Sequence, residues 1–228
     1  MCAQFDAKIH ANYLSLKFGI TIPNDLEIRI LPYSLSPVII AENSSNTLRN
    51  MNFSLIPSWS KERKVKFATH NARLFSEPDH KNIITPIYKR PTWREPFMQK
   101  HCLVLISGFI EPIYINNYAG NMVKFSRKGS DPLVAAGIWD EWINKENGEI
   151  IESFAILTHD PPKFVSEIGH DRCPIFLSES SFQAWLKPAT KEPVKLVEFL
   201  LENQLKIDFD VAIDRALKPG WEKRMSKK

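Results

Sequence analysis

The residues best placed to do chemistry are the first two, Met1-Cys2. Once the initiator methionine is gone, Cys2 carries an α-amine and a thiol on one residue, both partly deprotonated near neutral pH. Two nucleophiles can then converge on one carbon. With an aldehyde, the amine forms a Schiff base and the thiol closes on it to give a five-membered thiazolidine. Taken alone the dipeptide is commonplace, so the rest of the chain must supply acids, bases and a binding surface.

Candidate polar groups lie where strands end or bend: Asn71 and Arg73, then Glu111 after Gly108, then His170 with Asp171 and Arg172. Each has a bland alternative. A strand Glu commonly faces solvent, a lone His is commonly a hydrogen-bonded structural group, and an Asn before Ala-Arg commonly caps a turn. A further stretch, Pro57 to Lys66, couples Trp59 to Lys61, Arg63, Lys64 and Lys66. It reads either as a solvated basic loop or as a phosphate-tracking rim with a stacking aromatic.

The elements that must position these groups are short. Apolar spacing of Ile9, Tyr13 and Leu16 predicts a helix over Lys8 to Phe18, with Gly19 as its terminator. Arg29 to Leu31, Val38 to Ile40 and Asn52 to Ile56 read as strands separated by Pro32, Pro37 and the polar run Asn43 to Asn46. After an irregular region with at most a short helix, Cys102 to Ser107 is a buried strand. Gly108 permits a bend, and Ile110 to Ile115 continues extended. Met122 to Phe125, Leu133 to Trp139 and Ser153 to Thr158 follow, the last two joined by an Asn147-Gly148 pair suited to a type I′ turn. Helices are expected over Pro161 to Ile168, from Ser178 as cap to Trp185, and over Pro193 to Leu201 with Val194, Val197 and Leu201 on one face. Ile175 to Leu177 reads as a strand, Asp208 to Ile213 as an edge strand, and the Lys-rich tail after Pro219 as frayed. Short turns between strands imply antiparallel pairing. The expected fold is α+β: one domain with an antiparallel, barrel-like β core and peripheral helices.

The chain has 228 residues and a net charge of +4, a mild basic excess that suits a polyanionic partner. No apolar run approaches the roughly 20 residues of a membrane span, and Asp6, Lys8, His10 and Asn12 interrupt any leader-like stretch. A cytoplasmic protein is expected, with no membrane partner. The 3 cysteines, without CxxC spacing, argue against a disulfide framework or a zinc site. No metal or organic cofactor is expected.

Taken in order, Met1-Cys2, Leu55-Ile-Pro-Ser-Trp59, Asn71-Ala-Arg73, Cys102-Leu-Val with Gly108-Phe-Ile-Glu111, Ala136-Gly-Ile-Trp139 and His170-Asp-Arg-Cys-Pro174 form a set. In order and spacing the set resembles the SRAP family, the SOS response-associated peptidase-like proteins, from Cys2 to about Trp185. The resemblance implies a monomeric DNA-repair protein, nucleoid-associated when bound, that binds single-stranded DNA and traps abasic sites. It gives Cys2 the role of crosslinking nucleophile, Asn71 that of holding the α-amine, and Arg73 that of gripping a phosphate. Glu111 and His170 would move protons. Arg172, Trp59, Lys61, Arg63 and Lys64 join the expected DNA surface. Cys2 could also cut the Met1-Cys2 bond, as the family name suggests, although a host aminopeptidase could equally remove Met1. A thiol peptidase acting on other peptides and an inactive single-stranded nucleic-acid binder are the competing classes.

The chain also departs from that pattern. The family usually opens Met-Cys-Gly-Arg, whereas this chain has Gln4 in place of the arginine. Its usual Gly-Phe-Tyr-Glu-Trp is here Gly-Phe-Ile-Glu-Pro, which removes aromatic surfaces at Ile110 and Pro112. Cys173 stands where methionine is common. Weaker or differently placed DNA binding is expected, with Trp59, Lys61, Arg63 and Lys64 as candidates to compensate.

Overall fold

The computed structural model describes residues 4–129 and 132–223. Cys2, with Met1, lies outside the described residues. The chain opens in a strand, β1 (Gln4–Ile9), and the first helix, α1, spans only Ala11–Phe18. The expected start at Lys8 is therefore wrong. The reason is a cap from a distance: Asp25 accepts the Ala11 N–H at 2.8 Å and meets His10 Nδ1 at 2.9 Å, fixing the helix start from 14 residues downstream. Gly19 ends α1 at φ 70°, as anticipated.

Strands β2 (Leu26–Ile30), β3 (Leu35–Glu42), β4 (Ser45–Phe53) and β5 (Asn71–Arg73) follow, then α2 (Arg94–Gln99), β6 (His101–Ile106), β7 (Gly108–Ile113), β8 (Asn121–Arg127), β9 (Leu133–Ile143) and β10 (Ile150–His159). The chain continues through α3 (Lys163–Ile168), β11 (Cys173–Pro174), α4 (Phe182–Leu186), α5 (Pro193–Glu202) and β12 (Phe209–Ala216). One sheet runs β12-β8-β7-β1-β2. The other runs β11-β10-β4-β3-β6-β9, and a further β9–β10 pairing closes β10, β4, β3, β6 and β9 into a ring. The fold is thus α+β with a barrel-like core and peripheral helices, as expected.

Alternation along the strands sorts side chains into two cores. On β6, Leu103 and Leu105 join α1, α2, α4 and α5 in one, while Cys102, Val104 and Ile106 join Phe5, Phe109 and Phe125 of the five-stranded sheet in the other. The two free edges of that sheet, β2 and β12, meet through Arg29, which bonds Asp6 on β1 and Asp214 on β12 at 2.8 Å each.

Several local expectations change. Pairing is not wholly antiparallel, because β10 runs parallel to both β4 and β5. Pro37 lies inside β3, opposite Asn50. The β9–β10 connection is a longer loop, Lys145 to Gly148, closed by Gly148 N–H to Asn144 O at 2.8 Å; only Gly148 takes a positive φ, so it is not a type I′ turn. The buried face of α5 is Leu196, Val197 and Leu200, with Val194 and Leu201 exposed. Ser178 makes no side-chain cap; a 3-10 turn over Glu179–Ser181 leads into α4. Of the tail after Pro219 only residues 220–223 are described; there a half-buried Trp221 lies against Tyr114, and the Lys-rich remainder lies outside the described residues. No described helix is long and apolar enough to cross a membrane.

Ser54, just after β4, sits at φ 129° with a buried, unpartnered hydroxyl. That region suits glycine, and a non-glycine residue there costs about 1–3 kcal/mol. Ser54→Gly relieves the strain and deletes the orphan hydroxyl, against about 0.5–1 kcal/mol of added backbone entropy. It is expected to stabilise the fold by about 1–2 kcal/mol, read as a higher urea midpoint at unchanged slope. A lower midpoint would show that the hydroxyl holds the loop in place.

Candidate active site

Glu111 owes its position to β7. Alternation from Gly108 puts Phe109, Glu111 and Ile113 on the face turned toward the barrel, so the carboxyl is carried into the interior and is 1% exposed. His170 owes its position to the end of α3. Gly169, at φ 110°, turns the chain out of the helix, and a Cβ there would meet Ile115 Cγ1 at 2.9 Å. Asn116 Nδ2 donates to Glu167 O at 2.9 Å, fastening the end of α3 to the turn after β7. The result is an ion-pairing contact of 3.3 Å between His170 Nε2 and Glu111 Oε1, with His170 only 7% exposed.

Near this pair lie His70 and Cys173, both within reach of the Glu111 charge, and Asn71 follows His70 in the chain. Asn71 opens β5, pairs in parallel with Ile156 of β10, and is buried. His70 packs edge-on to Phe53 at 5.7 Å. Burial pulls its imidazole below the usual value against the upward pull of Glu111, and Arg172 adds to the lowering. Cys173 and Cys102 are buried thiols. Burial pushes both upward, and Glu111 adds to the rise at Cys173. Neither is available as a thiolate nucleophile.

Arg73 leaves β5 toward the same loop that carries His170. It bonds Glu77 Oε1 at 2.8 Å and the Asp171 carbonyl at 3.2 Å, and Arg172 reaches both Glu77 and Asp171 at 3.5 Å. Arg90 donates to the Arg73 carbonyl. Burial, with Arg73 close by, pulls its guanidinium down to about 10. Three arginines thus gather at one edge of the site. Glu77 and Asp171 partly neutralise Arg73 and Arg172, so a bound anion would have to compete with these carboxylates.

The basic loop is anchored and open. Its start and end are bonded by Leu55 N–H to Thr69 O at 3.1 Å, next to His70. Trp142 Nε1 holds Ser60 O at 2.8 Å and Asp140 holds Ser58 N–H at 3.2 Å. Trp59 is 56% exposed, Lys61, Arg63 and Lys64 are exposed, and Lys64 lies over the Tyr33 ring at 5.3 Å. The structure therefore pairs Glu111 with His170, buries Asn71 on β5 next to His70, sets Arg73 and Arg172 on the loop that carries His170, and leaves Trp59, Lys61, Arg63 and Lys64 on a separate loop rooted beside His70. The sequence reading missed His70 and Cys173 as neighbours of the pair and Glu77 as the partner of Arg73 and Arg172. For His70 the signal was adjacency to Asn71.

The SOS response associated peptidase (SRAP) profile matches residues 1–212. The chain belongs to this family. Among the chain's relatives, the abasic site processing protein YoaM of Bacillus subtilis is 27% identical over 174 residues, covering 74% of this chain and 71% of that protein. The abasic site processing protein HMCES of Pongo abelii is 28% identical over 208 residues, covering 73% of this chain and 55% of that protein. A crystal structure of a Bacteroides thetaiotaomicron protein matches with a TM-score of 0.67 at 21% identity, covering 97% of this chain and 94% of that one. A Bordetella bronchiseptica protein gives 0.68 at 20%, covering 95% and 100%. These two share the SRAP chain's fold.

Burial also predicts acid sensitivity. His70, His101 and His159 are all held below the usual imidazole value by burial, His101 despite carbonyls of Phe97 and Trp185 at both ring nitrogens. The unfolded chain takes up protons below about pH 6.5 while the fold resists them, so stability falls as pH drops from there. The melting temperature is expected to be level above pH 7 and to decline between about pH 6.5 and 5. Asp6 acts in a lower window: burial raises it, but bonds from Arg29 and Lys124 hold it below the usual carboxylate value, so its contribution is lost only below about pH 4. A melting temperature flat to pH 5 would refute the assignment to the histidines.

Proposed function

We propose that this SRAP protein processes abasic sites in single-stranded DNA by forming a covalent thiazolidine between Cys2 and the ring-opened deoxyribose. The observation that carries the reading is the buried Glu111–His170 pair at 3.3 Å, whose carboxyl lies on the strand that pairs with β1: Gln4 lies opposite Ile110, the neighbour of Glu111. Cys2 is two residues before Gln4, a span of at most about 7 Å. The abasic-site names of the relatives support the same substrate.

Ring opening moves the C1′ hydroxyl proton off and delivers a proton to the ring oxygen, giving the aldehyde. The neutral Cys2 amine adds to C1′, and the carbinolamine leaves its oxygen as water once protonated. The thiol then adds to the C=N carbon and its proton ends on nitrogen. The sum is aldehyde plus Cys2 in, thiazolidine plus one water out. An acid and a base are needed at ring opening and dehydration, and the adjacent carboxyl and imidazole supply them. Asn71 positions the amine, and Arg73 and Arg172 take the phosphate beside the lesion in exchange for Glu77 and Asp171. Autoproteolytic loss of Met1 would use the same thiol; the protein acts as a monomer in the cytoplasm.

The two other thiols make a clean test available. Cys102 and Cys173 are buried, so alkylation of the native, Met1-processed protein reaches Cys2 first. The unalkylated protein is expected to give a denaturation-resistant adduct with an oligonucleotide bearing one abasic site, of mass equal to the sum less one water. The alkylated protein should give none. An adduct of equal yield after alkylation, or none with either sample, would overturn the reading.

A further inference from the structure

The cation missing at position 4 has a structural substitute. Arg215, on β12, donates from Nη2 to Gln4 Oε1 at 2.9 Å, so a guanidinium lies beside the side chain two residues from Cys2. Its setting is a network across the outer face of the five-stranded sheet. Arg29 bonds Asp6 and Asp214, Lys124 bonds Asp6 at 2.7 Å, and Arg215 also pairs with Asp214. Lys124 reaches Asp6 across β7 only because Gly108 has no side chain; a Cβ there would meet Lys124 Cε at 2.5 Å. Three cations thus share two carboxylates, leaving one net positive charge. Arg215, 44% exposed, is the most open of the three.

An aromatic cleft adjoins it. Pro112, Met122 and Arg215 form one row across β7, β8 and β12. Beside that row Tyr114, Met122, Arg215, Lys218 and Trp221 line a cleft of about 260 Å³. It is built rather than incidental. Leu217 N–H closes on Gly120 O at 2.8 Å, and Gly120, at φ 82°, lets the Trp221 ring lie against its backbone, where a Cβ would be 3.0 Å from the ring. Tyr114 and Trp221 have ring centroids 6.4 Å apart. The cleft therefore offers aromatic faces next to Pro112, where this chain lacks the aromatic of the SRAP pattern, and Arg215 offers a cation next to Gln4, where it lacks the arginine. Residues 213–221 lie beyond the family-matched stretch.

We propose that Arg215, Tyr114 and Trp221 form a nucleotide subsite beside the reactive terminus, Arg215 taking a backbone phosphate of single-stranded DNA and the cleft taking the adjoining base. This rests on the single-stranded DNA reading above. Bases stack on aromatic faces with little regard to sequence, and a phosphate contact releases counterions, so the two parts have separable signatures.

The test is fluorescence anisotropy with an intact single-stranded oligonucleotide across a salt series, so that binding is read without crosslinking. Arg215→Ala is expected to weaken binding several-fold and to reduce the slope of log affinity against log salt by about 0.7. Trp221→Leu, which keeps apolar packing but not the π-face, should weaken binding about tenfold at unchanged slope, while Trp221→Phe stays close to wild type. Gln4→Arg combined with Arg215→Ala should restore affinity and slope, because the new guanidinium starts from the atom Arg215 now contacts. Wild-type affinity in both Arg215→Ala and Trp221→Leu, or equal loss in Trp221→Phe and Trp221→Leu, would overturn the subsite. If the wild type forms no abasic adduct the earlier reading fails by itself, and the anisotropy series still decides this one.

Discussion

Glu111→Gln is expected to slow abasic adduct formation by about 10²–10⁴-fold, the usual loss when a positioned proton-transfer group is removed. Glutamine keeps the size and a hydrogen-bonding oxygen toward His170 Nε2, so the 3.3 Å contact can persist while proton exchange cannot. The side chain is 1% exposed, so bulk water has little access to take over its role. Single-turnover gels over a pH series check this: the variant's rate should be low and its pH dependence flattened, with single-stranded DNA affinity close to wild type. A wild-type rate would remove Glu111 from the chemistry and leave His170 to be tested alone. A rate loss accompanied by an equal loss of DNA affinity would point to a disturbed fold instead.

The largest stability effect is expected at Gly137, in the closed ring of strands. It pairs with Cys102 on β6 and Ile156 on β10, and a Cβ added there would meet Cys102 Sγ at 2.7 Å, Ala155 O at 3.1 Å and Val104 Cγ2 at 3.3 Å. The carbonyl belongs to a laddered strand and cannot retreat cheaply. Gly137→Val should therefore cost about 3 kcal/mol, at the upper end of overpacking penalties. Urea midpoints measure it. Gly137→Ala should cost less in a Cys102→Ala background than in the wild type, since the nearest clash is then gone, and a double-mutant cycle reads that coupling directly. Additive losses would place the strain on Ala155 O and Val104 rather than on Cys102.

Where the sequence reading succeeded, the cause of structure was local. The apolar run Cys102 to Ile106 could hardly be other than a buried strand, and Gly108 marked the break before the next one; that Glu111 on that strand faces inward rather than toward solvent came only with the structure. Where it failed, the cause lay elsewhere in the chain. The start of α1 is set by Asp25, the parallel partner of Asn71–Arg73 is a strand some eighty residues on, and the polarity of that short segment gave no hint of burial. The family resemblance singled out Glu111 and His170, which the structure brings together. Alternation and spacing alone could not have brought them to one place, because their contact depends on the Gly169 turn and the Asn116 tie. Arg215 and Trp221 were invisible for the same reason: their significance appears only once β12 is laid beside β8.

The Arg29 bridge to Asp214 has a practical consequence. β2 and β12 are the two rows of unpaired backbone groups that this sheet offers to other molecules, and such rows invite intermolecular pairing and aggregation. Arg29 ties both rims into a charged network with Asp6 and Asp214, which discourages another chain from adding to either side. Shortening the protein ahead of β12 would strip that guard, bare the β8 rim and uncover Phe109 and Phe125, the ring partners of Phe209. Shortened forms should therefore fail in solubility before they fail in chemistry.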